Sequence, residues 1–198
     1  MSTAHTNEFD AEFPGLRREV VDAWRDAPEH LTVEILEGEA FTMPRPRTLH
    51  ASAAGELYAE LRGPFRLERG GPGGWVFLPE PELHLGEGPD IIDPDLAGWR
   101  RERMPEIPDA PAITLAPDWV CEVLSERTEA IDRGRKMRIY RREGVRHVWL
   151  VDPRIGTLEV WRLDGRRWRE VDTFEGNVTV HAEPFDAVAL DLGLLWAR

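Results

Sequence analysis

Apolar and polar residues alternate in several short stretches of the chain, and this alternation predicts β-strands. The clearest case is a hairpin over residues 31–43 that turns at a Glu-Gly pair. A second hairpin joins residues 157–163 to residues 166–171 through an Asp-Gly pair, which is typical of tight hairpin turns. Further strands are predicted at residues 75–78, 82–85, 95–99, 119–124 and 147–151.

Apolar residues that recur at helical spacing predict helices between these strands. One helix follows Thr48, a suitable N-cap, and continues to Leu61. Another covers residues 128–143 and ends at Gly144. A short helix is also expected within residues 19–27.

The order of these elements predicts the fold class. The strand, helix and strand between residues 119 and 151 favour one parallel strand pair inside an otherwise antiparallel, mixed sheet. We therefore expect an α/β protein whose core runs helix, strands, helix, strand, with an N-terminal and a C-terminal hairpin. Residues 1–30 are expected to form a lead-in with the short helix, and residues 31–198 a single domain.

The composition fits a folded domain with its own core. Of the 198 residues, 41% are hydrophobic and 31% are charged, which is ordinary for a folded protein. No apolar run is long enough to span a bilayer, and the polar N-terminus lacks the apolar centre of a secretory signal. The single cysteine, Cys121, excludes an internal disulfide. A reducing, cytoplasmic location and no membrane partner are the resulting expectations.

Charge is distributed unevenly along the chain. The formal net charge of -12 argues against a protein that coats nucleic acid through bulk charge. One dense basic segment contains Arg133, Arg135, Lys136, Arg138, Arg141, Arg142 and Arg146. This segment is either a solvated helix face in an acidic protein or a surface that contacts phosphates. Under the second interpretation, the nucleic-acid-binding candidates are Arg133, Arg135, Arg138 and Arg142.

Two carboxylates carry the candidate chemistry. Glu122 lies inside an apolar run, where a charge is costly unless it is paired or bound to a cation. Asp95 follows Pro94 and begins another apolar strand. Acids on neighbouring strands can place oxygens around Mg²⁺, and such an ion can polarise a phosphodiester. Each carboxylate taken singly could instead cap a turn or pair with an arginine.

Three runs of the sequence form a signature. They are PDWVCEVLS at residues 117–125, DRGRKMRIY at residues 132–140 and GVRHVWLVDP at residues 144–153. With VEILEGE at residues 33–39, His50 and the Pro-Asp-Leu of residues 94–96, they resemble the Uma2 (DUF820) family. The similarity covers most of the chain. It implies the PD-(D/E)xK nuclease fold of a family described as endonucleases.

The resemblance also implies roles for particular residues. Asp95 corresponds to the first acid of a PD-(D/E)xK site and Glu122 to the second. The lysine of that motif usually lies two residues after the second acid, on the same strand face, but here the position holds Leu124. Lys136, which the family pattern places on the following helix, would replace it by stabilising charge on the phosphate or orienting water. The alternative is a solvated lysine on a basic helix.

Three further residues are secondary site candidates. His50, near a helix start, contacts the metal site or a phosphate, or it is an ordinary hydrogen-bonded surface histidine. Glu34 alternates with apolar neighbours, so it points outward on the hairpin or supplies a third carboxylate. Glu56 is implied by the resemblance, because nucleases of this fold often carry an acid on the first helix.

These observations predict a metal-dependent endonuclease that uses Mg²⁺ or Mn²⁺ and hydrolyses phosphodiesters, with DNA as the expected substrate. The rival interpretation is a nuclease-fold binding module with weak or lost catalysis. The absence of lysine at position 124 and the negative net charge favour that rival. A third interpretation is a structural homodimer that pairs through the apolar C-terminal tail, residues 187–197.

Overall fold

The computed structural model describes residues 12–28, 31–44 and 46–197. In chain order the elements are α1 (Arg18–Arg25), β1 (Leu31–Leu36), β2 (Glu39–Pro44), α2 (Thr48–Leu61), a π-helical turn (Arg62–Arg66), β3 (Trp75–Pro79), β4 (Leu83–Leu85), β5 (Asp90–Ile92), β6 (Leu96–Arg100), β7 (Trp119–Val123), α3 (Glu129–Ile131), a second π-helical turn (Asp132–Lys136), α4 (Met137–Arg142), β8 (His147–Asp152), β9 (Thr157–Asp164), β10 (Arg167–Glu175), β11 (Thr179–Val180), β12 (Leu190–Asp191) and a 3-10 helix (Leu192–Trp196). The strands form sheets of six, four and two strands.

The six-stranded sheet has the order β10-β9-β8-β7-β6-β3. In it β7 and β8 are parallel, while the other neighbouring strands are antiparallel. A parallel pair needs a crossover connection, and the helical segments α3 to α4 supply it. The predicted mixed sheet with one parallel pair is therefore confirmed, and β9 and β10 form the predicted C-terminal hairpin.

The predicted N-terminal hairpin, β1 and β2, lies in the four-stranded sheet of order β2-β1-β5-β4. Its turn residues Glu37 and Gly38 have φ angles of 55° and 78°, as a tight type I′ turn requires. β5 was not predicted, because its three residues are all buried and show no alternation of apolar and polar positions. β5 pairs with β1 and leads the chain directly towards β6.

The predicted lead-in lies partly outside the described residues, which begin at residue 12. Its short helix is present as α1. Phe13, Val20 and Val21 are buried against Ile35 and Ile91 of the four-stranded sheet. The described part of the lead-in is therefore packed onto β1 and β5.

The crossover from β7 to β8 covers nearly the predicted helical range, but its middle turn is π-helical. Met137, Ile139 and Tyr140 are buried against one face of the six-stranded sheet. Gly144, at φ 76°, ends the crossover as predicted.

The helix α2 covers the opposite face of the six-stranded sheet with Ala53, Leu57 and Leu61. The prediction that Thr48 caps this helix is wrong, because Thr48 is its first helical residue. Arg47 precedes it, and its side chain makes no capping bond. No helix among the described residues is long and apolar enough to cross a membrane.

Aromatic residues fill the core beneath α2, and Phe185 lies at their centre. The centroid of its ring is 4.9–5.5 Å from those of Phe65, Trp75, Phe77, Trp119 and Trp149. Phe185 belongs to the stretch after β10, in which the sequence shows no periodicity. An irregular segment therefore supplies the residue that joins most of the core aromatics.

The apolar C-terminal tail packs into the same core. Leu190, Leu192 and Leu195 are all buried there, while Leu194 remains 39% exposed. Three leucines of the tail are therefore used in the core of this chain, and a dimer interface formed by the tail stays a prediction.

We expect Phe185→Ala to lower the free energy of unfolding by about 3–5 kcal/mol, because it removes a large buried ring and leaves a cavity. Urea unfolding measures this loss, and Phe185→Leu should cost less. The control is Val178→Ala, at a side chain that is 41% exposed. A loss for Phe185→Ala no larger than that of the control would contradict the central role of this ring.

Candidate active site

Asp95 and Glu122 lie side by side on the six-stranded sheet. β6 and β7 are antiparallel with Leu96 opposite Cys121, so the residue before Leu96 faces the residue after Cys121. Asp95 Oδ2 accepts a hydrogen bond from the backbone N–H of Val123 at 2.6 Å. Glu122 is only 2% exposed. The structure therefore brings the two acids together on one face of the sheet.

Lys136 reaches these acids from the crossover. Its ammonium nitrogen, Nζ, lies 2.9 Å from Glu34 Oε1, 3.3 Å from Glu122 Oε2 and 3.4 Å from Asp132 Oδ1. Leu124, on β7's extension where a lysine was expected, is buried in the core instead. The cation beside Glu122 therefore comes from a helical segment packed over the sheet, and not from a lysine on the same strand.

One face of the crossover carries three groups of the site. Asp132, Lys136 and Tyr140 are four residues apart and so project from the same side of the helical segment. The Tyr140 hydroxyl donates a hydrogen bond to Glu122 Oε1 at 2.5 Å, while Lys136 contacts the other oxygen. In the sequence, the aromatic ring of Tyr140 predicts a core residue, and nothing singles out Asp132. Their four-residue spacing from Lys136 is the signal that identifies both.

The charges of this cluster depend on one another. Burial raises the pKa of the Glu122 carboxyl well above its ordinary value, although Lys136 lowers it. Burial would also lower the pKa of Lys136, but Glu122, Glu34 and Asp132 outweigh that effect and hold it well above its ordinary value. Burial and, next, the negative charge of Glu122 raise the pKa of Tyr140 well above its ordinary value. Lys136 is therefore a cation and Tyr140 a neutral donor at neutral pH.

Glu34 extends from the four-stranded sheet into the site. Its side chain is 2% exposed, so it points into the protein and not outward on the hairpin. Besides contacting Lys136, Oε1 accepts a hydrogen bond from the backbone N–H of Asp93 at 3.0 Å. Its Oε2 has no hydrogen-bond partner among the described residues. Burial, followed by Glu34 and Glu82, raises the pKa of Asp93 to about 7.

His50 lies in the first turn of α2 and contacts Asp95. Its Nε2 is 3.3 Å from Asp95 Oδ1, and its side chain is largely buried. Burial lowers the pKa of this imidazole, but the hydrogen bond to Asp95 and its negative charge more than compensate, so the net shift is upward. His50 and the N–H of Val123 therefore hold the two oxygens of Asp95.

The structure does not bring Glu56 to this site. α2 buries Ala53, Leu57 and Leu61, and Glu56 lies outside that stripe and is exposed. The expectation that it supplies an acid to the site is therefore corrected.

The four arginines proposed for nucleic-acid binding are all paired with carboxylates of this chain. The pairs are Arg133 with Glu129 and Glu159, Arg135 with Glu37 and Glu39, Arg138 with Glu37, and Arg142 with Asp90 and Glu143. These pairs connect the crossover to both hairpins and offset much of its positive charge. Arg141 and Arg146 are exposed and form no ion pair with the described residues.

Comparison with known proteins places this chain in a family. The Uma2 family model, described as "Putative restriction endonuclease", matches residues 19–193. The chain belongs to the Uma2 family. It is also similar to the crystal structure of "a putative nuclease belonging to DUF820" from Anabaena variabilis ATCC 29413. That likeness has a TM-score of 0.71 and 21% identity over 90% of this chain and 97% of the other, and it shows a shared fold. No curated protein matches the chain.

The family description indicates a restriction-endonuclease-like nuclease, and a nuclease family implies a nucleic-acid substrate. Such proteins usually use divalent metal ions. In the described part of the chain, no group of three or more His, Cys, Asp or Glu side chains is arranged to hold one. Mg²⁺ keeps several waters, however, and is often held by one or two carboxylates together with substrate phosphates. Asp95 and Glu122 offer two carboxylates of that kind on neighbouring strands.

We expect Asp93→Asn to stabilise the protein increasingly as pH rises. The Asp93 pKa is about 7 in the folded state and about 3.9 in an unfolded chain. The protonated carboxyl therefore favours the folded state at acid pH, and wild type loses that contribution as pH rises towards the folded pKa. The variant has no such loss, so its advantage in free energy of unfolding should grow by about 2–4 kcal/mol between about pH 4 and pH 8.

Urea unfolding of both proteins in chelator, at several pH values, measures this difference. Asp109→Asn, at an exposed aspartate, is the matched control. A pH-independent difference between Asp93→Asn and wild type would show that Asp93 does not titrate in this range.

Proposed function

We propose that this Uma2 protein is a metal-dependent endonuclease of the PD-(D/E)xK type and that its substrate is DNA. The observation that carries the proposal is the convergence of Asp95, Glu122 and Lys136, with the lysine ammonium 3.3 Å from Glu122. Two acids and a cation are the groups that this motif requires. They meet here although they come from the start of β6, from β7 and from the crossover.

Asp95 and Glu122 are the proposed metal ligands. A bound Mg²⁺ or Mn²⁺ would supply a Lewis acid that polarises the phosphodiester and favours hydroxide. His50 and the N–H of Val123 orient Asp95, while Tyr140 orients Glu122. Because these bonds hold the carboxylates before any substrate arrives, little reorganisation is needed during the reaction.

Lys136 is the proposed electrostatic group. Its raised pKa keeps the ammonium protonated at neutral pH, so it stabilises negative charge or donates a hydrogen bond to water and does not act as a base. Glu34 and Asp132 contact the same ammonium, so they would hold its position when Glu122 acts as a metal ligand.

The crossover is the proposed DNA-facing surface, with Arg133, Arg135, Arg138 and Arg142 as contact candidates. Each of them already pairs with a carboxylate, and the chain has a net charge of -12. We therefore expect weak binding whose salt dependence corresponds to only about two to four phosphate contacts.

A binding module without catalysis is the second candidate. It is favoured by the closed arrangement in which Lys136 engages Glu34, Glu122 and Asp132 at once. In that case the cluster serves to connect the two sheets, and the protein would bind nucleic acid without cleaving it.

We expect Mn²⁺ to bind the wild-type protein and to support cleavage of plasmid DNA. Glu122→Gln and Asp95→Asn should abolish both the heat of Mn²⁺ binding and the cleavage, because each removes a negatively charged ligand. Glu56→Gln changes an exposed acid of α2 and is the matched control. Equal binding heats for wild type and Glu122→Gln would exclude this metal site. Mn²⁺ binding without cleavage of DNA or RNA would instead favour the binding module.

We expect Lys136→Met to lower kcat by about 100-fold or more, because it removes the cation that stabilises transition-state charge. It should also lower the free energy of unfolding by about 3–5 kcal/mol, since it leaves buried carboxylates without their partner. Turnover is therefore measured well below the melting temperature, with folding checked by circular dichroism. Arg141→Met, on the same crossover, is the control. Turnover within about twofold of that control would remove Lys136 from the mechanism.

A further inference from the structure

The outer edge of β10 is a long and accessible strand edge. β10 is the last strand of the six-stranded sheet, and no strand of the described residues pairs with its outer side. Seven of its nine residues are exposed. An unpaired edge presents backbone N–H and C=O groups that can pair with a strand of another chain.

The charges along this edge are sorted by sign. Arg167 and Arg169 lie at its N-terminal end, with Arg166 in the turn just before it, whereas Glu170, Asp172 and Glu175 lie towards its C-terminal end. None of the six forms an ion pair with another described residue. Each half of the edge therefore carries uncompensated charge, positive in one half and negative in the other.

We propose that β10 pairs antiparallel with β10 of a second copy of this chain, so that the two six-stranded sheets become one continuous sheet. Antiparallel pairing sets the basic half of each strand against the acidic half of the other. In the register that places Arg169 opposite the partner's Asp172, Arg166 lies beside the partner's Glu175. Two-fold symmetry repeats both contacts, which gives four opposite-charge pairs.

A second copy fits this edge better than an arbitrary strand does. Oppositely charged residues that face one another across strands attract, and like charges repel, so parallel pairing of two β10 strands is disfavoured. Val171, which is 38% exposed, stands between the two halves and therefore near the two-fold axis. Pairing would cover that apolar side chain in both copies.

β10 contains a bulge, a feature that can hinder pairing at a strand edge. The register of β10 on β9 shifts between Glu170 and Asp172, and bulges and charges often protect strand edges from association. Protection by charge depends on repelling another copy of the same strand. The sorted charges of β10 attract an antiparallel copy instead, and the bulge is confined to the residue at the symmetry axis.

The test is self-association of the full chain, which does not depend on nuclease activity. Sedimentation velocity over a range of concentrations should show a monomer–dimer equilibrium for wild type. Arg166→Glu with Arg169→Glu should weaken it by roughly a factor of 30 or more, because all four opposite-charge pairs become like-charge pairs. Asp172→Lys with Glu175→Lys should have the same effect.

Mixing the two double variants separates this interface from a general effect of charge. Their mixture should form a heterodimer, since every cross-strand pair is then again of opposite sign. Arg141→Glu with Arg146→Glu makes the same change in net charge on the crossover and should leave the equilibrium within about twofold of wild type. Wild type that stays monomeric, or double variants that all remain dimeric, would overturn the proposal.

Discussion

The contact of the Lys136 ammonium with three buried carboxylates is the interaction on which the arrangement of this protein depends. It joins Glu34 of the four-stranded sheet, Glu122 of the six-stranded sheet and Asp132 of the crossover. Carboxylates buried without a cation would be costly and would repel one another. The same contact therefore places a cation beside the acids of the candidate site and connects the two sheets.

The ion pairs around the crossover have a related role. Arg138 binds Glu37 in the N-terminal hairpin, and Arg133 binds Glu159 in the C-terminal hairpin. The crossover thus contacts both hairpins, and Lys136 lies between these contacts in the chain. A basic segment that resembles a nucleic-acid surface in the sequence serves first to hold this helix in place.

Local patterns predicted most of the fold, because hairpins, amphipathic helices and the crossover depend on residues that are close in sequence. The sequence does not predict the central position of Phe185 in the aromatic core, because the residues around it show no periodicity. In the site, strand context and family resemblance selected Asp95 and Glu122. The sequence predicts Tyr140 only as a core residue, since it does not distinguish an aromatic ring in apolar packing from one that also donates to a carboxylate. Such a bond depends on how a helix packs over a sheet.

Lys136 and Glu122 are held in place by different elements of the structure. On one strand, a lysine two residues after Glu122 would keep a spacing of about 7 Å along the backbone whatever the rest of the protein did. Here Glu122 belongs to β7 and Lys136 to the crossover, so the distance between them is a property of tertiary structure. A small rotation of the crossover would withdraw the ammonium and leave both acids in place. The ion pairs that hold the crossover therefore influence the distance between Lys136 and Glu122. Substitutions of the arginines in those pairs, far from the acids, can change that distance.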